Sequence, residues 1–195
     1  MKINIRHDLN PLIRSLDLRR DQVPYATARA LTKTAQAVRL DVMAELPKVF
    51  DRPVPFTMGA IGYLAASKTS LESSVFIRDA QAAYLRKQIE GRTELPKGRA
   101  LVEPVNVDLN QYGNMPRNKV RQLLARKNVF SGSVNGIAGI WQRVGRRQLK
   151  LLVKFEAKRE VSRRFDFFGI VKTSIGKHLL DQMRESIAAA MRTAR

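Results

Sequence analysis

The longest regular pattern in the chain is helical. From Asp21 or Gln22 to Leu46, the residues Leu31, Ala35, Val38, Val42 and Leu46 recur at spacings of three and four, while Arg29, Lys33, Gln36 and Lys48 fall outside that stripe. Such spacing predicts one apolar helix face turned to a core. Pro24 suits the first turn, and Pro47 is expected to stop the helix, because proline lacks an amide hydrogen and clashes with the turn before it. Ala26, Ala30, Ala37 and Ala44 make a second line, read either as a close-approach surface for another helix or simply as good helix formers. A second long helix is expected from about Asp166 to Thr193, apolar at Ile170, Ile175, Leu179, Met183, Ile187 and Met191.

Strands show as alternation with a period of two. Ile3 and Ile5 alternate with polar neighbours near the start, as a short strand or an arm. Ala60 to Ser67 and Leu71 to Arg78 read as two strands around Lys68-Thr69-Ser70, with Val75 and Ile77 on one face and Phe76 on the other. The clearest β signal is Val129 to Val134, the turn Asn135-Gly136, Ala138 to Val144, then Gly145-Arg146 and Gln148 to Phe155. In the last of these strands Leu149, Leu151, Val153 and Phe155 are expected to share one face, with Lys150 and Lys154 on the other.

Shorter segments fill the gaps. Asn10-Pro11 opens a short helix with Leu12, Ile13 and Leu16, and Asp79 caps another through Ala82, Ala83, Leu85 and Ile89 to Gly91. Pro116 starts a third, apolar at Val120, Leu123 and Leu124. Phe50 to Thr57 reads as a rigid non-helical connector, because Pro53 and Pro55 push the residues before them toward extended geometry. Residues 92 to 116, with Pro96, Pro104 and Pro116, read as an extended loop carrying an edge strand within Ala100 to Val107. The pattern predicts an α+β fold, a mostly antiparallel sheet packed against long N-terminal and C-terminal helices, with extended loops. A single domain over 1–195 is expected, with 53–113 as a projecting subdomain or assembly loop region.

Composition narrows the chemistry. With 195 residues and 44% apolar content the chain can build a real core. It has no cysteine and only His7 and His178, which removes disulfides, thiolate metal sites and cysteine nucleophiles and leaves little for zinc. Neither a G-x-x-x-x-G-K loop nor a strand-G-x-G-x-x-G-helix unit is present. His178 lies mid-helix among Ile175, Leu179 and Leu180, with no orienting acid or nucleophile nearby in sequence, and reads as a core or surface histidine. Asp41 and Glu45 are four apart on a helix, and Asp79, Glu90, Glu94, Glu103 and Asp108 are scattered, so helix solvation and capping account for them better than a nuclease metal site. No catalytic residue, cofactor or metal is expected, and the chain is not read as an enzyme. No apolar run approaches the roughly 20 residues that cross a bilayer, and Met1 to Asn10 carries charges where a signal peptide needs an apolar stretch. A protein made in the cytosol, with no membrane partner, is expected.

Charge is the strongest functional signal. Thirty-six Lys and Arg against 17 Asp and Glu leave +19, which points to a polyanionic partner. Between Arg117 and Arg164 fourteen basic residues face only Glu156 and Glu160, so +12 of that total sits in about a quarter of the chain. The candidates for contact with DNA or an acidic partner are Arg143, Arg146, Arg147, Lys150, Lys154, Lys158, Arg159, Arg163 and Arg164. Arg146 and Arg147 at a hairpin tip would present a projecting basic edge that binds phosphates without reading sequence. Trp141, Phe155, Phe165, Phe167 and Phe168 interleave with these cations and could stack bases, although burial in the core explains them more simply.

A set of landmarks in order along the chain resembles a known family. Val23-Pro24 with the Ala-rich helix, Phe50-Asp51-Arg52-Pro53 through Phe56-Thr57, Tyr84-Leu85 with Gln88-Ile89-Glu90-Gly91, Gly113-Asn114-Met115-Pro116-Arg117, Asn128-Val129-Phe130 and Gly139-Ile140-Trp141-Gln142-Arg143 are similar to the tailed-phage minor tail protein Z family, the tail completion proteins. The resemblance implies a virion structural protein of the neck, made in the host cytoplasm, that completes the head-proximal end of the tail. It further implies head-tail joining and placement of the DNA end. Implied partners are further copies in a ring, tail terminator or tail tube and head-tail connector proteins, and the end of the packaged DNA. The family supplies no catalytic residues to carry over. The alternative from charge alone is a non-specific nucleic-acid-binding protein using a basic hairpin surface.

Overall fold

The computed structural model describes residues 1–5, 22–96 and 98–193. The short helix expected after Asn10-Pro11 lies outside them. The chain divides into two compact units, residues 1–89 with 165–195, and residues 90–164. Where the sequence reads as one domain with a projecting segment over 53–113, the first part of that segment, to Ile89, belongs to the first unit and the rest to the second.

The first unit holds strand β1 (Lys2–Ile5), helix α1 (Gln22–Val49), the short helix α2 (Pro55–Met58), strands β2 (Ile61–Leu64) and β3 (Ser73–Ile77), helix α3 (Asp79–Glu90) and the long C-terminal helix α5 (Phe167–Thr193). Its sheet is antiparallel in the order β1-β3-β2, with Ile3 opposite Val75 and Ile61 opposite Ile77. The stripe Leu31, Ala35, Val38, Val42 and Leu46 is completely buried and meets Ile5, Ile61, Val75, Ile77, Leu85, Ile89, Phe165, Phe167 and Val171 in one core. Each Leu or Val so buried contributes about 1.5–3 kcal/mol relative to exposure. Lys33 reaches Glu185, and Asp41 reaches Ser174 and His178, so α1 and α5 pack antiparallel. Buried Thr27 and Thr34 donate to the carbonyls of Val23 and Ala30 four residues back, which removes the cost of burying a hydroxyl.

Three expectations are corrected here. Pro47 does not stop α1, which runs to Val49 with the Phe50 amide bonded to the Leu46 carbonyl at 2.9 Å. Proline removes one ladder bond, while Val49 and Phe50 hold the last turn against the core, the Phe50 ring lying edge-on to Phe165 at 5.9 Å. The connector Phe50 to Thr57 is not wholly extended. Val54, at φ −65° and ψ 153°, is extended as a residue before proline must be, but Pro55 then starts α2, where its missing amide costs nothing. In α5 the expected apolar stripe is rotated. Phe167, Val171, Ser174, Met183, Ser186 and Ala190 are the buried positions, so of the expected stripe only Met183 is among them; Ile170, Ile175, Leu179 and Ile187 flank them half-buried, and Met191 is 51% exposed. Ser174 is buried on this face because α1 packs there, its hydroxyl donating to Asp41 of that helix.

The second unit leaves and rejoins the chain through the paired strands β4 (Arg92–Glu94) and β9 (Arg159–Val161), with Arg92 opposite Val161. Between them lie β5 (Leu101–Pro104), helix α4 (Lys119–Leu124), β6 (Val129–Val134), β7 (Ile137–Arg143) and β8 (Leu149–Glu156). The sheet is antiparallel in the order β5-β8-β7-β6, so the expected edge strand near Ala100 is β5. A separate core joins Leu123 of α4 to Val129, Ile140, Leu152 and Val153. The α+β architecture of mostly antiparallel sheet with long N-terminal and C-terminal helices stands.

One further expectation fails in β8. Trp141 pairs with Leu151 and Ile140 with Val153, so Leu152 has no partner on β7 and forms a bulge. Gly139 pairs with Lys154, and Gly139 and Trp141 share a face. Leu151 therefore sits on the side of Lys154, not opposite it, because one extra residue reverses the alternation beyond it.

Candidate polyanion-binding surface

The candidate cations all fall within the second unit, where the sheet sorts them. Val144 N–H bonds to the Gln148 carbonyl at 3.0 Å and closes the turn that carries Arg146 and Arg147. At the same end of the sheet the Arg143 amide donates to the Asn128 carbonyl at 2.8 Å, which brings the residues just before β6 beside the last residue of β7. Arg126 and Lys127 thereby join Arg143, Arg146, Arg147 and Lys150. All six are exposed, and none makes an ion pair with a described residue. The Arg143 guanidinium lies 4.9 Å from the centre of the Phe130 ring, a contact that holds one cation in place at little entropic cost.

The other candidates stand apart. Lys154 lies 2.9 Å from Glu156 and 3.8 Å from Glu103, and Arg159 lies 3.3 Å from Glu156. The hydrogen bond and charge of Glu156 raise the Lys154 pKa, and the hydrogen bond from Lys154 leads in lowering that of Glu156. Two carboxylates thus answer two cations, leaving no local excess for a polyanion. Lys158 is exposed beyond the end of β8, and Arg163 and Arg164, also exposed, follow β9 with contacts of their own. Arg126 and Lys127 are distant from Arg143 along the chain, and the only sequence signal for their approach is the Asn135-Gly136 hairpin that folds β6 onto β7.

The aromatic residues divide in the same way. Phe165 and Phe167 are completely buried and Trp141 nearly so, while Phe168 is 43% exposed and Phe155 packs partly against the second core. The buried rings are core elements rather than stacking platforms.

Sequence spacing misses one polar cluster in the first unit. Ser174 Oγ donates to Asp41 Oδ2 at 2.7 Å, and His178 Nε2 lies 2.8 Å from the same oxygen. An ionised carboxylate only accepts, so the imidazole proton sits on Nε2. The three residue types are those of an acyl-transfer triad, but such chemistry needs the imidazole between hydroxyl and carboxylate. Here the carboxylate stands in the middle and ties α1 to α5. An open groove of about 600 Å³ beside it is lined by Asp41 itself with Glu45, Lys48, Asp166 and Lys177. Among the described residues no group of three or more His, Cys, Asp or Glu could hold a metal ion.

The Ser174 hydrogen bond leads in lowering the Asp41 pKa, partial burial opposes it, and His178 adds to the lowering. A carboxyl lowered in the folded state stabilises fully above its ordinary value of 3.8 and loses that contribution as pH falls through the folded value. Asp41→Asn is therefore expected to flatten the acid limb of stability below about pH 5. Urea unfolding midpoints through that range measure it. Parallel curves for variant and parent would remove Asp41 from the acid response.

No family model, no curated protein and no solved structure matches this chain. None of the described helices is long and apolar enough to cross a membrane.

Proposed function

We propose that this chain is a virion structural protein of a tailed phage. It completes the head-proximal end of the tail, as copies arranged in a ring, and supports head-tail joining and placement of the DNA end. The observation that carries the reading is the gathering of Arg126, Lys127, Arg143, Arg146, Arg147 and Lys150 at one exposed end of the sheet without a carboxylate among them. Such a cluster holds a polyanion through its backbone charges and gains from counterion release. The ordered landmarks from Val23-Pro24 to Arg143 supply the phage context. Sheet edges, the segment from 92 to 116 with its strands β4 and β5, and apolar helix faces are the proposed contacts between copies and with tail tube or connector proteins, and a heterologous contact whose rotation closes makes a ring.

The combined substitution Arg146→Glu, Arg147→Glu and Lys150→Glu tests this reading in the parent phage. Intact tails that join heads poorly or lose DNA are expected, and undiminished infectivity would sink the proposal. Duplex DNA binding by the purified chain separates the second reading. Tight binding by a monomer, with log affinity falling by about 0.9 per phosphate contact for each log unit of salt, would make it a general nucleic-acid-binding protein instead.

A further inference from the structure

Strand β6 presents an open edge. It ends the order β5-β8-β7-β6, and among the described residues no strand pairs with its outer side. Asn135 and Gly136, with φ of 50° and 79°, form a two-residue turn that makes Val134 and Ile137 a hydrogen-bonded pair. Alternation from that pair turns the N–H and C=O of Ser131 and Ser133 outward. The same alternation turns Asn128 inward, where its carbonyl does accept from Arg143. Both serines are exposed.

The opposite edge differs. The Val105 amide bonds inward to the Leu152 carbonyl, so the nitrogen of Pro104 faces outward and offers no hydrogen. Proline blunts an edge in this way. Val129 to Val134 contains no proline and no charged residue, and its register with β7 is unbroken. The outward amide of Val129 is already bonded to the Arg126 carbonyl at 3.1 Å, so the open part of the edge is Ser131 to Ser133, which carries neither proline nor charge to keep it from pairing.

We propose that β6 is a strand-addition site for an extended acidic segment of a partner protein. Main-chain bonds to Ser131 and Ser133 would hold the segment, and alternate side chains would determine its identity. Arg126 and Lys127 lie just before β6, separated from it by Asn128, and the Arg143 guanidinium rests on Phe130 of β6 itself, so one face of an added strand passes a fixed cation. Carboxylates at every second position meet that charge. A second copy would bring another +19 to the edge, with the same three cations if it paired through its own β6, and duplex DNA has no amide ladder to pair with it. The inference rests on the basic sheet end and not on the phage assignment, and its test uses none of Arg146, Arg147 and Lys150.

The probe is a peptide of about eight residues with alternating Glu and Val, titrated into the full chain while amide hydrogen exchange is followed by NMR. Protection of the Ser131 and Ser133 amides is expected to rise about tenfold or more at saturation, and the matching Lys and Val peptide is expected not to bind. Ser133→Pro, which removes one outward N–H and leaves the ladder to β7 intact, is expected to weaken binding about tenfold. Arg143→Gln weakens binding but preserves the protection pattern at saturation. Binding without new protection at Ser131 and Ser133, or equal binding to Ser133→Pro, overturns strand addition. Protection that rises with protein concentration in the absence of peptide overturns the acidic partner in favour of a second copy.

Discussion

Replacing Phe165 with alanine is expected to destabilise the first unit by about 3–5 kcal/mol, a large share of the roughly 5–15 kcal/mol that keeps a domain folded. Phe165 is the first residue after the chain returns from the second unit, and its amide bonds to the Gln88 carbonyl at 3.1 Å. Its ring is completely buried, edge-on to Phe50 at 5.9 Å and tilted against Phe167 at 6.2 Å. Truncation removes apolar burial and two ring contacts. It also leaves a cavity that the long helices on either side cannot close without moving as rods. Phe168→Ala, three-sevenths exposed at 43%, is the control and should cost less than about 1 kcal/mol. Denaturant midpoints of the two variants decide the matter, and equal losses would show that Phe165 is not a core residue.

Gly139→Ala is expected to be costly for the opposite reason, overfilling, at about 3 kcal/mol. A Cβ at Gly139 would meet the Val153 carbonyl oxygen within contact distance and the Leu151 Cδ1 at 2.9 Å. The carbonyl belongs to the backbone of β8 beside the bulge at Leu152, so relief requires β7 and β8 to separate. Gly132→Ala is the comparison, since its Cβ would meet only the Phe130 ring at 3.6 Å, an ordinary contact. Amide exchange in β7 and β8 should quicken in Gly139→Ala and stay close to the parent in Gly132→Ala. Unchanged protection in both would mean that the strands at the bulge are looser than this geometry requires.

Both variants probe features of unequal legibility. Burial of Phe165 and Phe167 is the simpler of two readings of an aromatic group set among cations, and the structure selects it. The need for glycine at 139 has no trace in sequence, because it arises from a bulge on a different strand. The α1 stripe from Leu31 to Leu46 is readable because a helix repeats its face every three or four residues whatever it packs on. The stripe of α5 is misread because Ser174, Ser186 and Ala190 are buried by a neighbour helix that lies more than a hundred residues away in the chain.

The candidate surface follows the same division. Local sequence places Arg146 and Arg147 at a turn, because glycine and charge punctuate two alternating runs. The hairpin at Asn135-Gly136 is the one local sign that Arg126 and Lys127 approach Arg143, whereas the pairing of Lys154 with Glu103 depends on which strand becomes the neighbour of β8. The Asp41, Ser174 and His178 cluster is likewise assembled from two helices whose sequences contain no sign of each other.

Local periodicity thus determined the fold class, the long helices and the hairpin, because these depend on residues a few positions apart, and composition alone fixed the excess of positive charge. Tertiary structure alone decided the division into two units, the buried face of α5, the bulge in β8 and which cations remain unpaired. Those depend on packing and hydrogen bonds between segments that only the folded chain brings within a few ångströms of one another.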